Sequence, residues 1–497
     1  MVRSMTAAAL LVCWSILPAH AQPPAPTLAP LVRSVDLNCG ESCQVELCDG
    51  KKVSVKLLEV KETADPVRGA IRTARAHVEV DGRQVWLDSA NYRLPVTVGG
   101  VQIDCPITGG LRKNSRPNAW ALQKDARLRL WPAGSPLMNS GTFVYPIRQR
   151  WFASSTQMAN EPCYVDGGEQ PKARNIYYHY GLDFGGAEGL AQVVCATDGL
   201  VVASGTDALP GYQDTPVKPR YDVVYVLDPR GWYYRYSHMI SIDPAIRPGA
   251  KVRMGQPVGV LGKEGGSGGW SHLHFDIFSR QPSGDWGCQE AYAFGWEAYQ
   301  RQYRPKLIAV ARPHNLARTG DQVILDATRS WSASGKIARC QWTFTDGSTA
   351  EGAKVERVYH RAGYYSEVLK VTDAAGQVDY DFAIVDVVDR EHPDRVPPTI
   401  HVVYHPTFDV RPGQEVTFKV RTFGTTDGQE TWDFGDGTPA ATSRSDGNVK
   451  ALAKDGYGIV KHRFAQPGQY VVRAQRTDQQ GRTAVGHVRV MVERGER

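Results

Sequence analysis

The sequence predicts a mainly β, multidomain protein, and three observations carry that prediction. The chain has 49 Gly and 31 Pro, a turn-rich composition that favours short strands over long helices. Apolar and polar residues alternate with period two in Val53-Ser54-Val55-Lys56-Leu57 and His77-Val78-Glu79-Val80, the pattern of half-buried strands. A strand-and-turn motif, Trp342-Thr343-Phe344-Thr345-Asp346-Gly347, recurs as Trp432-Asp433-Phe434-Gly435-Asp436-Gly437, so part of the chain is an internal repeat. At roughly 150 residues per domain, 497 residues predict three or four domains. A hydrophobic content of 42% with 22% charged residues excludes a mostly disordered chain and a polytopic membrane protein. The net charge of +6 comes without a concentrated basic stripe, which argues against a nucleic-acid partner.

Residues 1–21 read as an export signal: Arg3, an apolar run over 7–17, then Ala19-His20-Ala21 as an A-x-A cleavage site. The run is too short to span a bilayer, and Cys13 lacks the small neighbours of a lipidation site. The mature chain is expected to begin at Gln22, to have no membrane span, and to reside in the periplasm or outside the cell. Residues 22–30, QPPAPTLAP, form a Pro-rich linker. Residues 31–138 are read as a β-rich accessory domain with one helix near 65–76 and no catalytic motif. Export makes disulfides the expected fate of most cysteines: among Cys39, Cys43, Cys48 and Cys105, and between Cys163 and Cys288. Cys195 and Cys340 lie in apolar, strand-like runs and are expected to be buried free thiols. No C-x-x-C spacing supports a thiolate zinc site.

Residues 139–304 hold nearly all the chemistry. Strands are expected near 192–196, 200–203, 221–227, 232–237, 257–261 and 272–278, and the last follows the flexible run Gly265-Gly266-Ser267-Gly268-Gly269. Three patterns stand out: His179-Tyr-Gly-Leu-Asp183, Tyr236-Ser-His238, and His272-Leu-His274-Phe275. Side chains two apart on a strand share a face, so His272 and His274 point one way while Leu273 and Phe275 face the core. Two imidazoles and one carboxylate meet the ligand count of a catalytic zinc site. Two further imidazoles could handle the proton and the oxyanion. Spacing alone leaves other readings open: a hydrogen-bonded His179–Asp183 pair, and a surface His238.

Residues 305–390 and 396–494 are expected to be two β-sandwich modules, the second carrying an insertion around 443–458. Trp432 and Phe434 should face its core, and Asp436 should form the following turn. These repeats resemble the PKD (polycystic kidney disease) domain family, which implies immunoglobulin-like sandwiches that contact a cell-surface polysaccharide or protein or act as spacers.

Residues 144–299 resemble the lysostaphin/LytM family of zinc metallopeptidases. The resemblance is carried by His179-Tyr-Gly-Leu-Asp183-Phe, Val194-Cys-Ala-Thr-Asp-Gly199, Tyr236-Ser-His238, the run from Arg247 to Gly262, and Ser271-His-Leu-His-Phe275. It implies an antiparallel β-sheet domain with a groove, one zinc ion held by His179, Asp183 and His274, and His238 and His272 as catalytic residues. It further implies an exported endopeptidase that cuts cross-link or stem peptides of peptidoglycan. Two other functions remain open at this point: a non-catalytic regulator or cell-surface binding protein, and a zinc endopeptidase acting on proteins. Two departures from the family pattern, the lengthened loop at 206–220 and the tail at 280–303, are expected to border the groove or cover part of the domain.

Overall fold

The computed structural model describes residues 23–113, 118–162 and 176–494. The expected export signal at 1–21, with Cys13, lies outside them, as do Gln22 and Cys163 of the expected Cys163–Cys288 pair. The protein is mainly β throughout. Residues 31–138 form two four-stranded antiparallel sheets. One runs in the order Arg33–Leu37, Ala126–Pro132, Val101–Thr108, Val96–Val98; the other follows chain order through Ser42–Glu46, Lys52–Ala64, Ile71–Val80 and Arg83–Asp88. Val53, Val55, Leu57, Val78 and Val80 point inward against Ile103, Leu128 and Leu130.

The helix expected near 65–76 does not form. Ala70, Ile71 and Ala74 mimic helical spacing, but the Lys52–Ala64 strand runs up to a turn containing Pro66 and Gly69, and the Ile71–Val80 strand starts beyond it. The second strand pairs along the first and buries Ala74, Ala76, Val78 and Val80. Sheet pairing, not local propensity, decides the segment.

The expected disulfides are not present among the described residues: Cys39, Cys43, Cys48, Cys105, Cys195, Cys288 and Cys340 are all free thiols. Their backbones are fixed by other contacts. The Cys39 amide donates to Asp125, Cys43 sits opposite Val55 in a sheet, and Cys105 is buried in the core between the two sheets. Cys195 and Cys340 are buried free thiols, as expected.

The central sheet has its longest strand, His272–Arg280, at its middle. Tyr233–Ser237 flanks it on one side and Leu182–Gly185 on the other, all antiparallel. Val224–Leu227 and Gly199–Ser204 extend the sheet beyond Tyr233–Ser237. One face packs on a large aromatic core that includes Leu273, Phe275, Tyr234, Tyr236, Phe184 and Trp151. The tail beyond 280 folds back on the domain. Trp286–Gln289 pairs with the end of His272–Arg280, and the helix Tyr292–Tyr303 buries Phe294, Trp296 and Tyr299 in that core.

Each C-terminal sandwich encloses its own core. The first is built around Trp342 and Phe344, the second around Trp432, Phe434 and Phe418. The inward-facing roles expected of Trp432 and Phe434 hold, at 0% and 3% exposure. Asp436 caps its turn by accepting from the Thr438 amide and hydroxyl. The modules share one continuous sheet, because Gly363–Asp373 runs parallel beside Thr483–Val492 where Tyr364 meets Ala484.

Candidate metal centre

Strand register brings the sequence motifs together. Asp183 lies directly opposite His274 across one strand pair, and Ser237 lies opposite His274 across the other. His238 follows Ser237 immediately, and His272 shares the face of His274. Leu273 and Phe275 go to the core at 0% and 1% exposure, as period two requires. His179 lies just ahead of the Leu182–Gly185 strand. Its amide donates to the Glu161 carbonyl and its own carbonyl accepts from Asn160. Between His179 and Asp183 the chain turns at Gly181, with φ of +85°, so tightly over the central strand that a Cβ there would collide with the Asp276 carboxylate. Glycine is required for that approach.

The cleft so formed has a volume of about 430 Å³ and holds His179, Asp183, His238, His272 and His274 together, with Arg220, Arg235 and Trp270 on its walls. His179 Nε2 lies 3.0 Å from His274 Nδ1 and 3.2 Å from Asp183 Oδ2, and His274 Nδ1 lies 2.8 Å from Asp183 Oδ1. Neighbouring ligand atoms of a tetrahedral zinc stand about 3.3 Å apart, from metal–ligand bonds of about 2.0–2.1 Å. The outer atoms of both rings are occupied: His179 Nδ1 meets the Met158 carbonyl at 3.2 Å, and His274 Nε2 meets Asp276 Oδ2 at 3.0 Å. With both rings neutral, those bonds would place the protons outside and turn the two inner nitrogens and the Asp183 carboxylate toward one point, a donor set that could hold a metal ion.

The electrostatics agree. Burial alone would raise the Asp183 carboxyl, but His179, His272 and His274 around it hold it well below the usual carboxylate range. Burial likewise opposes charge on His274, yet Asp276 and Asp183 lift it to about 9, so the cluster draws positive charge to that ring. Burial pushes His272 well down and His238 down, which keeps both neutral near pH 7. His272 Nδ1 meets the Trp270 carbonyl at 3.1 Å and His238 Nδ1 meets the Glu264 carbonyl at 2.6 Å, so each ring leaves Nε2 for the cleft. His238 has a φ of +70°, held by its amide bonding Asp222 at 2.9 Å. That is a strained conformation of the kind found where a side chain must be aimed. A second group of possible ligands, His238, His272 and His274, shares one ring with the first but lacks a carboxylate.

All five residues singled out in the sequence therefore meet in one cleft. The lengthened loop at 206–220 borders it through Arg220, as expected. The tail after 280 packs on the core side and contributes none of the described lining residues. Sequence reasoning missed Asp276 and Asp222. Asp276 continues the period of the H-x-H pair, two residues further along the same strand face, and that spacing was the available signal. It also pairs with Arg235 at 3.1 Å. Asp222 is fully buried, paired with Arg220, and 3.4 Å from His238 Nδ1; it lies 16 positions from His238 in sequence and left no local signal of that contact.

The fold and site define a β-sheet domain with a metal-ligand constellation in an open cleft, fused to paired β-sandwiches. Residues 177–285 match Peptidase family M23, and residues 305–387 and 400–490 each match the PKD domain. The chain thus carries a peptidase family M23 domain followed by two PKD domains. Among solved structures it is similar to the fibronectin(III)-like modules of Clostridium thermocellum CbhA, at 12% identity over 38% of this chain and 94% of that one, with a TM-score of 0.16. It is also similar to Helicobacter pylori Csd3, at 18% identity over 52% of this chain and 58% of that one, with a TM-score of 0.20. Scores this low add nothing about function. Among the described residues, no helix is long and apolar enough to cross a membrane.

Proposed function

We propose that this protein is an exported zinc metalloendopeptidase that hydrolyses peptide bonds of peptidoglycan, in the cross-link or the stem peptide. The observation that carries the reading is the convergence of His179 Nε2, the Asp183 carboxylate and His274 Nδ1, with two neutral imidazoles beside them. His179, Asp183 and His274 would hold the ion. Bound there, zinc supplies a Lewis acid for the scissile carbonyl and makes a coordinated water acidic near neutral pH. His238 and His272 present Nε2 to the cleft, one to accept the proton and deliver it to the leaving amine, the other to stabilise the oxyanion. Asp222 behind His238 would stabilise that ring as an imidazolium, which favours His238 as the proton carrier. The peptidoglycan substrate and the periplasmic or extracellular location are supported by the LytM-type motifs and the signal-like residues 1–21. The PKD domains are suited to contact with cell-surface polysaccharide or protein.

The deciding experiment is digestion of purified peptidoglycan by the mature protein, with and without a chelator and alongside His272→Ala, with soluble products read by mass spectrometry. Chelator-sensitive peptide products that vanish in the variant are expected, and their masses name the bond. Cleavage of unrelated proteins but not of peptidoglycan would overturn the substrate. No cleavage of any peptide by a protein holding one zinc would leave a non-catalytic binding protein.

A further inference from the structure

The loop over 263–271 forms one wall of the cleft, through Gly266, Ser267, Gly268 and Trp270. It leads directly into His272, and the Trp270 ring stacks on the His272 imidazole with centroids 4.0 Å apart and planes 17° from parallel. A glycine-rich segment has little means of holding one conformation by itself. The second PKD domain supplies what it lacks. Tyr457 Oη accepts from the Ser271 amide at 2.7 Å, Arg421 donates to the Gly269 carbonyl at 2.5 Å, and Asn448 donates to the Gly268 carbonyl at 3.0 Å. The other end is held as well. Buried Lys263 pairs with Glu188, whose carbonyl accepts from Lys419 at 2.6 Å.

Asn448 and Tyr457 lie in the 443–458 insertion that distinguishes the second repeat from the first. The start of the insertion bonds its own domain, through Ser443 to Trp432 and Ser445 to Glu430, while at its tip Val449 is 77% exposed and Leu452 is also exposed. The rest of its organisation faces the loop. Arg421, with no exposed side-chain surface, gathers Asp446 and the Lys450 and Ala451 carbonyls while reaching Gly269. His401, from the same domain, meets Tyr457 Oη at 2.9 Å and packs edge-on against Trp270 with centroids 5.1 Å apart. The tip of His401 also lies against Gly185, on the strand that carries Asp183; a Cβ there would meet His401 Nε2 at 3.0 Å and the Trp270 ring at 2.9 Å.

We propose that the second PKD domain is a working part of the cleft: Tyr457, Asn448 and Arg421 clamp the 263–271 loop and, through Trp270, fix the orientation of His272. Tyr457 is a positioning residue in this arrangement. The proposal deepens the peptidase reading and rests on it for the consequence in catalysis, while the clamp itself can be read without any activity.

The test uses the full-length chain with Tyr457→Phe, which removes one hydroxyl, and Asn448→Gly, which removes the side-chain amide and tolerates the φ of +58° at that position. Hydrogen exchange by mass spectrometry reads the peptide over 265–271. The expected result in each variant is exchange faster by about threefold to tenfold there, the worth of one neutral hydrogen bond, with exchange in the Trp432 strand unchanged. With a cleavable substrate, kcat falls by a similar factor while KM and zinc stoichiometry hold. The loss largely disappears when Tyr457→Phe is made in a Trp270→Ala background, because the two act through one contact. Unchanged exchange over 265–271 in both variants overturns the clamp. A kcat loss of equal size in the Trp270→Ala background overturns the route through Trp270. A wild-type protein that cleaves nothing refutes the peptidase reading instead, and exchange alone then decides the clamp.

Discussion

Asp276→Asn probes the metal centre through a residue that would not itself touch the ion. Asp276 is fully buried and makes two bonds: it accepts from His274 Nε2 at 3.0 Å and from Arg235 Nη1 at 3.1 Å. Asparagine keeps the shape and one acceptor oxygen but removes the charge. The His274 ring then loses the carboxylate that orients it and raises its basicity. Loss of such an outer partner weakens metal binding by about 10- to 100-fold, or about 1.4–2.8 kcal/mol. The same change leaves Arg235, whose side chain is 15% exposed, without its counter-ion. Removing one partner of a buried pair costs about 3 kcal/mol in folding. Two assays separate the effects: competition for zinc against a chromophoric chelator, and thermal unfolding of the metal-free chain. Both quantities should fall. A folded variant that binds zinc as tightly as the wild type would refute the assignment of His274 as a ligand through Nδ1.

Other outcomes follow from the same geometry. His272→Ala and His238→Ala should each lower turnover by about 10²–10⁴-fold while one zinc per chain is retained; loss of zinc in either, measured by elemental analysis, would instead favour the His238, His272 and His274 cluster as the ligand set. Gly185→Ala should destabilise the protein by about 1–3 kcal/mol, because the new methyl would enter space held by the Ser155 carbonyl, Trp270 and His401; a melting temperature equal to the wild type would contradict that packing. Burial lifts the Glu290 carboxyl, beside Arg129, from an ordinary 4.5 to about 7. Between those values the folded chain keeps a proton that the unfolded chain has lost, so this group makes stability fall as pH rises from about 4.5 to 7, by roughly 3 kcal/mol, with no slope outside that window. Glu290→Gln should flatten that part of the curve, as read by denaturant unfolding across the range.

Much of this protein was legible in the sequence because the informative patterns are local. Period-two alternation marked the strands, and the face-sharing of His272 and His274 follows from strand geometry within three residues. The repeated tryptophan strand marked the sandwiches in the same way, since an inward aromatic ending at an Asp-Gly turn is a short-range signal. Motif order placed His179, Asp183, His238, His272 and His274 in one domain. The failures were of another kind. The segment at 65–76 carries helix-like spacing, but its first half is a turn, and pairing with the Lys52–Ala64 strand made the rest, from Ile71, a strand. The cysteines pointed to disulfides by count and expected export, whereas their separation in space is set by two sheets whose packing no spacing encodes. Asp222 reached His238 by register across neighbouring strands. The clamp of Tyr457, Asn448 and Arg421 on the 263–271 loop joins residues more than 150 positions apart in the chain. The sequence by itself determined which side chains the protein has for chemistry and which strands carry them, because those depend on local periodicity. Only the tertiary structure decided which lone pairs converge, which carboxylates stand behind the histidines, and which domain holds the cleft wall, because those depend on strand register and domain packing between distant parts of the chain.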